Sequence, residues 1–441
     1  MNSVDFKNRR HMSQLNLSKR LLGYFLILLG YFFYCYNFTV VDYVKPFLVE
    51  NYGISLKQSS LFYTFQSLGC FIGAVFSAWF SQRAGKKTTL IIVTAISGIC
   101  TIINMSIINY PIWCLMRFLI GVSLGGYYTI AVSSMVGLFK SSLRGRVYAI
   151  AESLFAFSGV VMGAYGAYLS ETGWEKILWL GAFPPVVIAI FMFFFVPDEN
   201  KYTPYGNNDK REPDISEIQK GTWTEMFSGK YRRLTITCAL ISAFNFLGIQ
   251  FFGGFLTVYL REVRGFDATN IGVILASGAT IGTVSGLIWG YLSDRLGRIF
   301  NAFGFLLVPL SISLYFLVPS NITLLSLVGS LFNLANASQI AWGSLFTELF
   351  PERLRSMGAS LFFGGKIIAL MGPFMVVLIS EHSSLSIAMW FSPVLFLIAT
   401  ILWFSLPEPN KRGLFYKGYD ADYGLAKRDL IDLEEDMIQY K

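Results

Sequence analysis

The chain of 441 residues is 54% hydrophobic and only 14% charged, with a formal net charge of +8. Because a soluble domain carries about 25% charged residues, this composition excludes an ordinary soluble protein and predicts that lipid solvates much of the surface. The positive charge would also suit a nucleic acid. Membrane proteins, however, concentrate Lys and Arg on their cytoplasmic side, so no nucleic-acid partner is expected.

Twelve apolar stretches are long enough to cross a bilayer as helices, which takes about 20 residues each. They are continuous and do not alternate in polarity, so they predict helices rather than barrel strands. The predicted fold class is therefore an all-α membrane protein with twelve transmembrane helices. The predicted spans are 21–44, 59–80, 88–108, 112–138, 147–170, 177–197, 234–260, 270–292, 300–318, 322–346, 357–380 and 386–406.

The longest connection separates the sixth and seventh spans and is polar, which is typical of a linker. Of the 35 Lys and Arg residues, 28 lie on the side of the two termini and five on the other side. This asymmetry predicts that both termini are cytoplasmic. The expected divisions are an N-terminal segment at 1–20, a first half at 21–197, a linker at 198–233, a second half at 234–406 and a tail at 407–441. The end of the tail, 425–440, has the pattern of a short amphipathic surface helix.

Two short loop sequences recur about 211 residues apart. The loop after the second span resembles the loop after the eighth, and the loop after the fourth resembles the loop after the tenth. The repeat predicts two pseudo-symmetric halves of six helices with a solute cavity at their interface. In one interpretation Asp294 pairs with a neighbouring arginine and latches helices together; in the other the loop charges only anchor the topology. The candidate gating residues in or beside these loops are Arg83, Arg144, Asp294, Arg295, Glu348 and Arg355.

The same loops carry a family resemblance. The sequence DRLGR at 294–298 resembles the loop signature of the major facilitator superfamily, and 117–126 and 348–355 resemble its sugar and organic-acid branches. The sequence ESLFA at 152–156 is similar to the fifth helix of the metabolite:proton symporter group, which includes niacin-type carriers. The resemblance covers 21–406 and implies a secondary carrier that works by alternating access. No ATP-binding motif is present, and no cofactor is expected.

Several positions depart from the family pattern. Gln82 and Ala78 stand where the family usually has Asp and Gly, and Tyr127 stands where related symporters often have Glu. Asn37 lies near the place where proton-coupled relatives carry an acid in their first helix. That acid can pair with the arginine of the fourth helix, here Arg117. The resemblance therefore leaves proton coupling open.

Four charged residues fall within the predicted spans: Asp42, Arg117, Glu152 and Lys366. Each needs a reason, because a charge at the bilayer centre costs about 3 kcal/mol on insertion scales. Arg117 is expected either to pair with Asp42 or to snorkel to the interface. Asp42 is also a second candidate for a proton site.

Glu152 and Lys366 occupy nearly equivalent positions of the repeat. Glu152 follows Arg144 by eight residues and Lys366 follows Arg355 by eleven, and this difference is one helical turn. In sugar carriers of the superfamily the matching positions line the cavity, so the resemblance implies that both residues do so here. Lys366 would then bind a carboxylate, and Glu152 an amine or a proton. The alternative is a direct ion pair that only holds the halves together.

The tenth span carries amide side chains at every third position, continued by a tryptophan: Asn333, Asn336, Gln339 and Trp342. A polar stripe that faced lipid would be costly, so it is expected to face the helix bundle. The stripe is expected either to bind a solute or to form hydrogen bonds between helices. Trp342 and Tyr127 are candidates for stacking on a substrate ring or for simple packing, and Gln250 is a further candidate binding residue.

The resulting hypothesis is a carrier for a small organic acid or amino acid. The alternatives are a facilitative carrier of a neutral solute such as a sugar, and a transporter-like sensor without net flux. An enzyme is not expected, because no Ser/His/Asp set is present and the two histidines lie outside the spans. The cysteines are not at metal-binding spacing. The expected setting is a monomer in the cell membrane, which is the inner membrane in a bacterium, with a small molecule, lipid and in one version protons as partners.

Overall fold

Twelve apolar helical segments make up most of the chain in the computed structural model. The structure describes residues 10–11, 14–107, 109–139, 144–169, 175–198, 202–203, 223–351, 354–421 and 425–426. Within these residues, eleven segments are long and apolar enough to cross a membrane, and Asn301–Leu317 is a shorter apolar helix. The predicted series of twelve helices is confirmed.

Helices 1 to 6 are continuous. Their bounds are Leu17–Tyr52, Leu56–Ala84, Lys86–Ser106, Tyr110–Gly137, Arg144–Leu169 and Lys176–Phe195. Helix 1 extends to Tyr52, whereas the sequence predicted an end at residue 44. Pro46 lies inside the helix without ending it, and Gly53 ends it in the left-handed conformation, at φ 62°.

Helices 7 to 12 contain more breaks. Helix 7 begins as an α-helix at Gly229–Phe252 and continues as a 3₁₀ turn at Gly253–Phe255, an α turn at Leu256–Val258 and a π turn at Tyr259–Val263. Helix 8 is unbroken at Ala268–Leu296, and helix 10 consists of Ile322–Asn336, a 3₁₀ turn at Ala337–Ile340 and Ala341–Glu348. The other three each have two parts, which are Asn301–Phe305 and Leu307–Leu317 in helix 9, Arg355–Ala369 and Gly372–His382 in helix 11, and Leu385–Met389 and Phe391–Phe404 in helix 12. The sequence predicted one uninterrupted helix at 234–260. Gly253 and Gly254 lie at the break, where adjacent glycines weaken an α-helix by about 1 kcal/mol each.

The other elements are small. Trp223–Met226 is a single helical turn, Arg10–His11 pairs in parallel with Tyr202–Thr203, and Tyr419–Asp420 pairs antiparallel with Leu425–Ala426. Most of the predicted linker at 198–233 lies outside the described residues. The predicted tail helix also lies outside them from residue 427 onward, and its first two residues form a strand.

Contacts divide the chain into two compact units. The first unit comprises Met1–Glu212 and Thr257–Ala276, and the second comprises Pro213–Leu256 and Ser277–Lys441. The end of helix 7 and the start of helix 8 therefore pack with helices 1 to 6. Within the first unit, Thr257 donates a hydrogen bond of 2.7 Å to the carbonyl oxygen of Asp42, and Arg261 forms an ion pair of 2.9 Å with Glu50.

A glycine crossing joins helices 2 and 4 in the first unit. A Cβ at Gly69 or Gly73 would overlap the backbone of helix 4, and a Cβ at Gly121 or Gly125 would overlap the backbone of helix 2. Both pairs have the spacing GxxxG, which lets helix backbones touch in a membrane. The four glycines therefore fix the closest approach of these two helices.

An aromatic cluster forms the centre of the second unit. Trp342 of helix 10 is fully buried, and its ring centroid lies 5.1 Å from that of Phe305 and 5.0 Å from that of Trp403. Phe346 stacks on the same indole at 6.1 Å. These rings bring helices 9, 10 and 12 together, because large aromatic side chains gain the most from packing and burial.

The segment after helix 12 folds back onto the second unit. The buried carboxylate of Glu408 accepts a hydrogen bond of 2.8 Å from the backbone N–H of Ile299. Further along, Leu414 donates its backbone N–H to the carbonyl oxygen of Leu296, and Tyr419 donates its hydroxyl to that of Leu349 at 2.6 Å. The segment thus ties together the ends of helices 8 and 10.

Candidate functional site

Glu152 lies on helix 5 in the first unit and is half-buried. Its Oε1 accepts a hydrogen bond of 2.9 Å from the hydroxyl of Tyr31 on helix 1. Tyr31 was not among the candidate residues predicted from the sequence. The available signal was the run of aromatic residues in helix 1, but a phenol that reaches an acid on another helix is visible only in the folded chain.

A row of packed aromatic rings continues from Tyr31, which donates to this carboxylate. The ring centroid of Tyr34 lies 5.2 Å from that of Tyr31 and 5.7 Å from that of Tyr128, and Tyr31 and Tyr128 are 6.1 Å apart. Phe38 continues the row 6.3 Å from Tyr34, and it lies 6.2 Å from Phe155 of helix 5. We refer to Tyr31, Tyr34, Phe38, Tyr128 and Phe155 as the aromatic wall.

Lys366 lies on helix 11 in the second unit and is half-buried. Its Nζ lies 5.2 Å from the ring centroid of Phe246 on helix 7, within the range of a cation–π interaction. Helices 7 and 11 come close here because Gly365 has no side chain, and a Cβ at this position would overlap Ser242. The hydroxyl of Ser242 also donates to the carbonyl oxygen of Phe362 on helix 11. The ammonium group is thus held beside an aromatic face.

The amide residues of helix 10 have different contacts: Asn333 packs where helix 8 crosses, and Gln339 forms a hydrogen bond to helix 7. Asn333 donates 2.8 Å to the carbonyl oxygen of Gly329 on its own helix and lies where helix 8 crosses, 2.8 Å from a Cβ built at Gly278. Gln339 accepts 3.0 Å from Asn245 on helix 7. Among the described residues, the buried Oδ1 of Asn336 has no hydrogen-bond partner.

The remaining candidate binding residues are buried. Trp342 belongs to the aromatic cluster of the second unit, so its position favours packing over stacking on a substrate. Tyr127 is buried and donates 2.7 Å to the carbonyl oxygen of Ile27, which joins helix 4 to helix 1. Gln250 is buried beside Gly254 and Gly372, and its Oε1 lacks a hydrogen-bond partner among the described residues.

The sequence suggested that Asp42 and Arg117 pair with each other, but each also has a polar partner on another residue. Asp42 forms an ion pair of 2.6 Å with Lys45, one turn along helix 1. Arg117 is fully buried, donates 3.4 Å to Gln66 and lies 5.6 Å from the ring centroid of Trp113. Complete burial does not fit the interpretation of Arg117 as a residue that snorkels to the interface. The Asp42–Arg117 pair stays a prediction.

Asn37 is a structural bridge. Its Nδ2 donates 3.1 Å to the hydroxyl of Ser97 on helix 3 and 2.9 Å to the carbonyl oxygen of Gly181 on helix 6. The side chain is almost fully buried. An amide is therefore needed here as a donor, which gives a physical reason for the departure from the acid of proton-coupled relatives.

The loop after helix 8 holds a charged cluster around Arg298. This guanidinium donates to Asp294 at 2.6 Å and, through two nitrogens, to Glu348 of helix 10 at 2.9 and 3.2 Å. Burial disfavours the charged form, but the hydrogen bonds to Glu348 and Asp294 outweigh it and raise the pKa of Arg298 above its ordinary value. Sequence analysis quoted Arg298 within the loop signature without selecting it. Its spacing of four residues from Asp294 was the missed signal.

Two other loop arginines, Arg83 and Arg295, contact aromatic rings. Arg295 donates 2.8 Å to the hydroxyl of Tyr291, and the guanidinium of Arg83 lies 4.1 Å from the ring centroid of Trp79. Only the backbones of Arg144 and Arg355 are described, so their predicted gating role lies outside the described side chains.

Comparison with known proteins gives consistent matches. A family model described as Major Facilitator Superfamily matches residues 27–366. A niacin transporter of Acinetobacter baylyi is 23% identical over 416 residues, covering 85% of this chain and 91% of that protein. A sialic acid transporter of Escherichia coli is 24% identical over 403 residues, covering 87% and 93%. A 4-hydroxybenzoate transporter of Acinetobacter baylyi is 24% identical, covering 76% and 79%.

Solved structures show the same fold. A bacterial homologue of the human lysosomal transporter Spinster, inward-facing and unoccupied, gives a TM-score of 0.71 at 16% identity and covers 88% of this chain and 97% of its own. A D-xylose–proton symporter gives a TM-score of 0.67 at 16% identity, covering 89% and 99%.

Proposed function

Because the chain belongs to the Major Facilitator Superfamily, and is therefore a multi-pass membrane transporter and not an enzyme, we propose that it carries a small organic acid across the membrane. The observation that carries this proposal is the half-buried ammonium group of Lys366 beside Phe246. A charge held inside a span is costly and by default functional. A carboxylate on the solute would offset the charge of Lys366.

The chemistry of the relatives supports an acid. The sialic acid and 4-hydroxybenzoate transporters are named for carboxylic acids, and these relatives each match three quarters or more of this chain. A neutral sugar carries no charge that the ammonium group of Lys366 would attract, so it is the weaker candidate. The likeness to the D-xylose symporter, at 16% identity, concerns the fold alone.

Proton coupling is the second part of the proposal. Asn37 holds helices 1, 3 and 6 together and has no titratable group, so a proton would use another acid. Asp42 and Glu152 are the two acids within helices 1 and 5 that sequence analysis selected. A proton bound to either acid would let a proton gradient drive the transport of the solute.

The test is ligand binding to purified protein, measured by thermal stabilisation. A ligand at 100 times its dissociation constant stabilises the folded state by about 2.7 kcal/mol if it binds only that state. We expect a carboxylate to stabilise the wild type and to lose most of its effect on Lys366→Gln. Lys230→Gln is the matched control, because Lys230 also lies near an aromatic ring, 5.4 Å from that of Tyr231 at the start of helix 7.

Equal binding of carboxylates by the wild type and Lys366→Gln would refute the carboxylate site. Uptake into vesicles that contain only this protein tests the transport step itself. A ligand that binds without any flux would favour the sensor hypothesis.

A further inference from the structure

One face of helix 1 is aromatic at helical spacing. Tyr31, Tyr34 and Phe38 are three and four residues apart, so they lie on one side of the helix. Tyr128 of helix 4 packs against the first two rings, and Phe155 of helix 5 lies beside the third. Three helices of the first unit thus contribute to one aromatic surface.

A carboxylate lies within this surface. Tyr31 donates its hydroxyl to Glu152, and Phe155 follows Glu152 by three residues, so that acid and ring share a face of helix 5. The ring faces carry partial negative charge, and the carboxylate carries a full one. Together they make an environment that favours a cation.

Exposure shows which groups of this surface the protein itself leaves uncovered. Tyr31 and Tyr34 are buried, whereas Glu152, Phe38 and Tyr128 are half-buried and Phe155 is 43% exposed. The buried tyrosines therefore form the back of the surface. The carboxylate and the three more exposed rings form its accessible front.

We propose that Glu152 and the aromatic wall form a subsite for a cationic nitrogen, so that the transported solute is a zwitterion with a carboxylate and an organic cation. This inference rests on the proposed carrier function and narrows its substrate class. A delocalised or methylated cation suits the subsite best, because it loses little hydration and interacts with both the carboxylate and the ring faces.

The simpler alternative is that these rings only pack and Tyr31 only satisfies the acid. That alternative predicts no preference for a positive charge on the solute. The two possibilities are therefore separated by ligands that have the same shape and differ only in the charge of one atom.

Two such pairs serve as probes. N-methylnicotinate and 3-methylbenzoate share a ring, a methyl group and a carboxylate, and differ in a positive ring nitrogen. Glycine betaine and 3,3-dimethylbutyrate are the corresponding aliphatic pair. Dissociation constants are measured by isothermal titration for the wild type, Glu152→Gln and Tyr24→Phe. Tyr24 is the matched control, since it is another tyrosine of helix 1 but donates to the carbonyl oxygen of Val147.

We expect the wild type to bind the member with the positive nitrogen, in at least one pair, tenfold or more tightly than its isostere with carbon in that place. Glu152→Gln should reduce that ratio to threefold or less, and Tyr24→Phe should leave it unchanged. If Glu152→Gln does not fold, Tyr128→Leu provides a second test, because it removes an accessible ring, keeps the acid and should also lower the ratio.

Two results would overturn the inference in different ways. If both members of each pair bind equally and Lys366→Gln weakens them together, the carrier of organic acids stands and the cation subsite is wrong. If no carboxylate probe binds at all, the proposed function and the subsite fail together.

Discussion

The crossing of helices 2 and 4 in the first unit differs from the crossing of helices 8 and 10 in the second, although the sequence repeat makes the two equivalent. In the first, Gly121 meets the backbone of Gln66 directly. In the second, Asn333 lies between the helices: a Cβ at Gly282 would lie 3.3 Å from it, and a Cβ at Gly278 would lie 2.8 Å from it and 3.2 Å from the carbonyl oxygen of Gly329. Helices 2 and 4 therefore contact each other through their backbones, whereas a polar side chain lies between helices 8 and 10.

The difference shows that the repeat sets topology rather than packing. Where helix 10 is held less closely to helix 8, it carries Trp342, which packs with helices 9 and 12 in the aromatic cluster. At this crossing the first unit relies on close helix contact, whereas beside the corresponding crossing the second unit buries a cluster of large rings. Four substitutions test this contrast.

The largest effect is expected for Trp342→Ala. Removing a fully buried tryptophan should destabilise the protein by about 3–5 kcal/mol, because it leaves a cavity that its neighbours cannot fill. Trp179→Ala is the control, since Trp179 of helix 6 is 48% exposed. Thermal unfolding in detergent measures both. A similar small loss for the two variants would mean that the aromatic cluster is not the centre of the second unit.

Asn37→Asp should cost about 3 kcal/mol, the upper range for a buried polar group left without its partner. The carboxylate would remove the donor to Gly181 and bring a charge to a buried position. Asn333→Asp is the comparison in the second unit, where the side chain is only half-buried and the loss should be smaller. If Asn37→Asp is as stable as the wild type, Asn37 is not the bridge described above.

Gly121→Ala should cost about 1–3 kcal/mol, because the new methyl group overlaps the backbone of helix 2 and forces the helices apart. Gly290→Ala on helix 8 has no heavy atom within 4 Å of the new Cβ. It should be neutral or stabilising, since alanine is the better helix former. The contrast fails if the two alanine variants unfold at the same temperature.

The smallest effect is expected for Arg298→Lys, at about 1 kcal/mol. Lysine cannot reproduce the two-nitrogen contact with Glu348, and the contribution of Asp294 is small because that carboxylate is 76% exposed. Glu348→Gln should therefore cost more than Asp294→Asn. The reverse order would place the main contact on Asp294.

The charged cluster around Arg298 also predicts how the stability of the protein depends on pH. The pKa of Arg298 is raised on folding, so its contribution is complete at any pH below the ordinary pKa of an arginine and is lost only at still higher pH. The stability difference between wild type and Arg298→Lys should therefore be constant from about pH 6 to pH 9. A change within that range would mean that the arginine is not the titrating group.

The sequence was sufficient for the number, order and approximate position of the helices. Length and apolar composition determine these, since about 20 apolar residues are needed for each crossing. The breaks in helix 7 were not predicted. Gly253 and Gly254 were visible, but whether two glycines only weaken a helix or interrupt it depends on the contacts at its end, such as that of Thr257 with Asp42.

The candidate site was predicted as residues but not as partners. The sequence singled out Glu152 and Lys366 as charges within spans, whereas Tyr31 and Phe246 looked like any other aromatic residue. Trp342 was a candidate for substrate stacking until the fold placed it among Phe305 and Trp403. Aromatic side chains pack and bind by the same forces, so only position distinguishes the two roles.

The sequence by itself determined a membrane protein of twelve helices with two related halves, because composition and repeat are properties of the chain alone. The tertiary structure decided that Asn37 bridges three helices, that Arg298 joins two acids and that Tyr31 of the aromatic wall reaches Glu152. Each of these depends on residues 50 to 144 positions apart in the sequence, and the direction of a side chain across that separation is set by helix packing and not by local pattern.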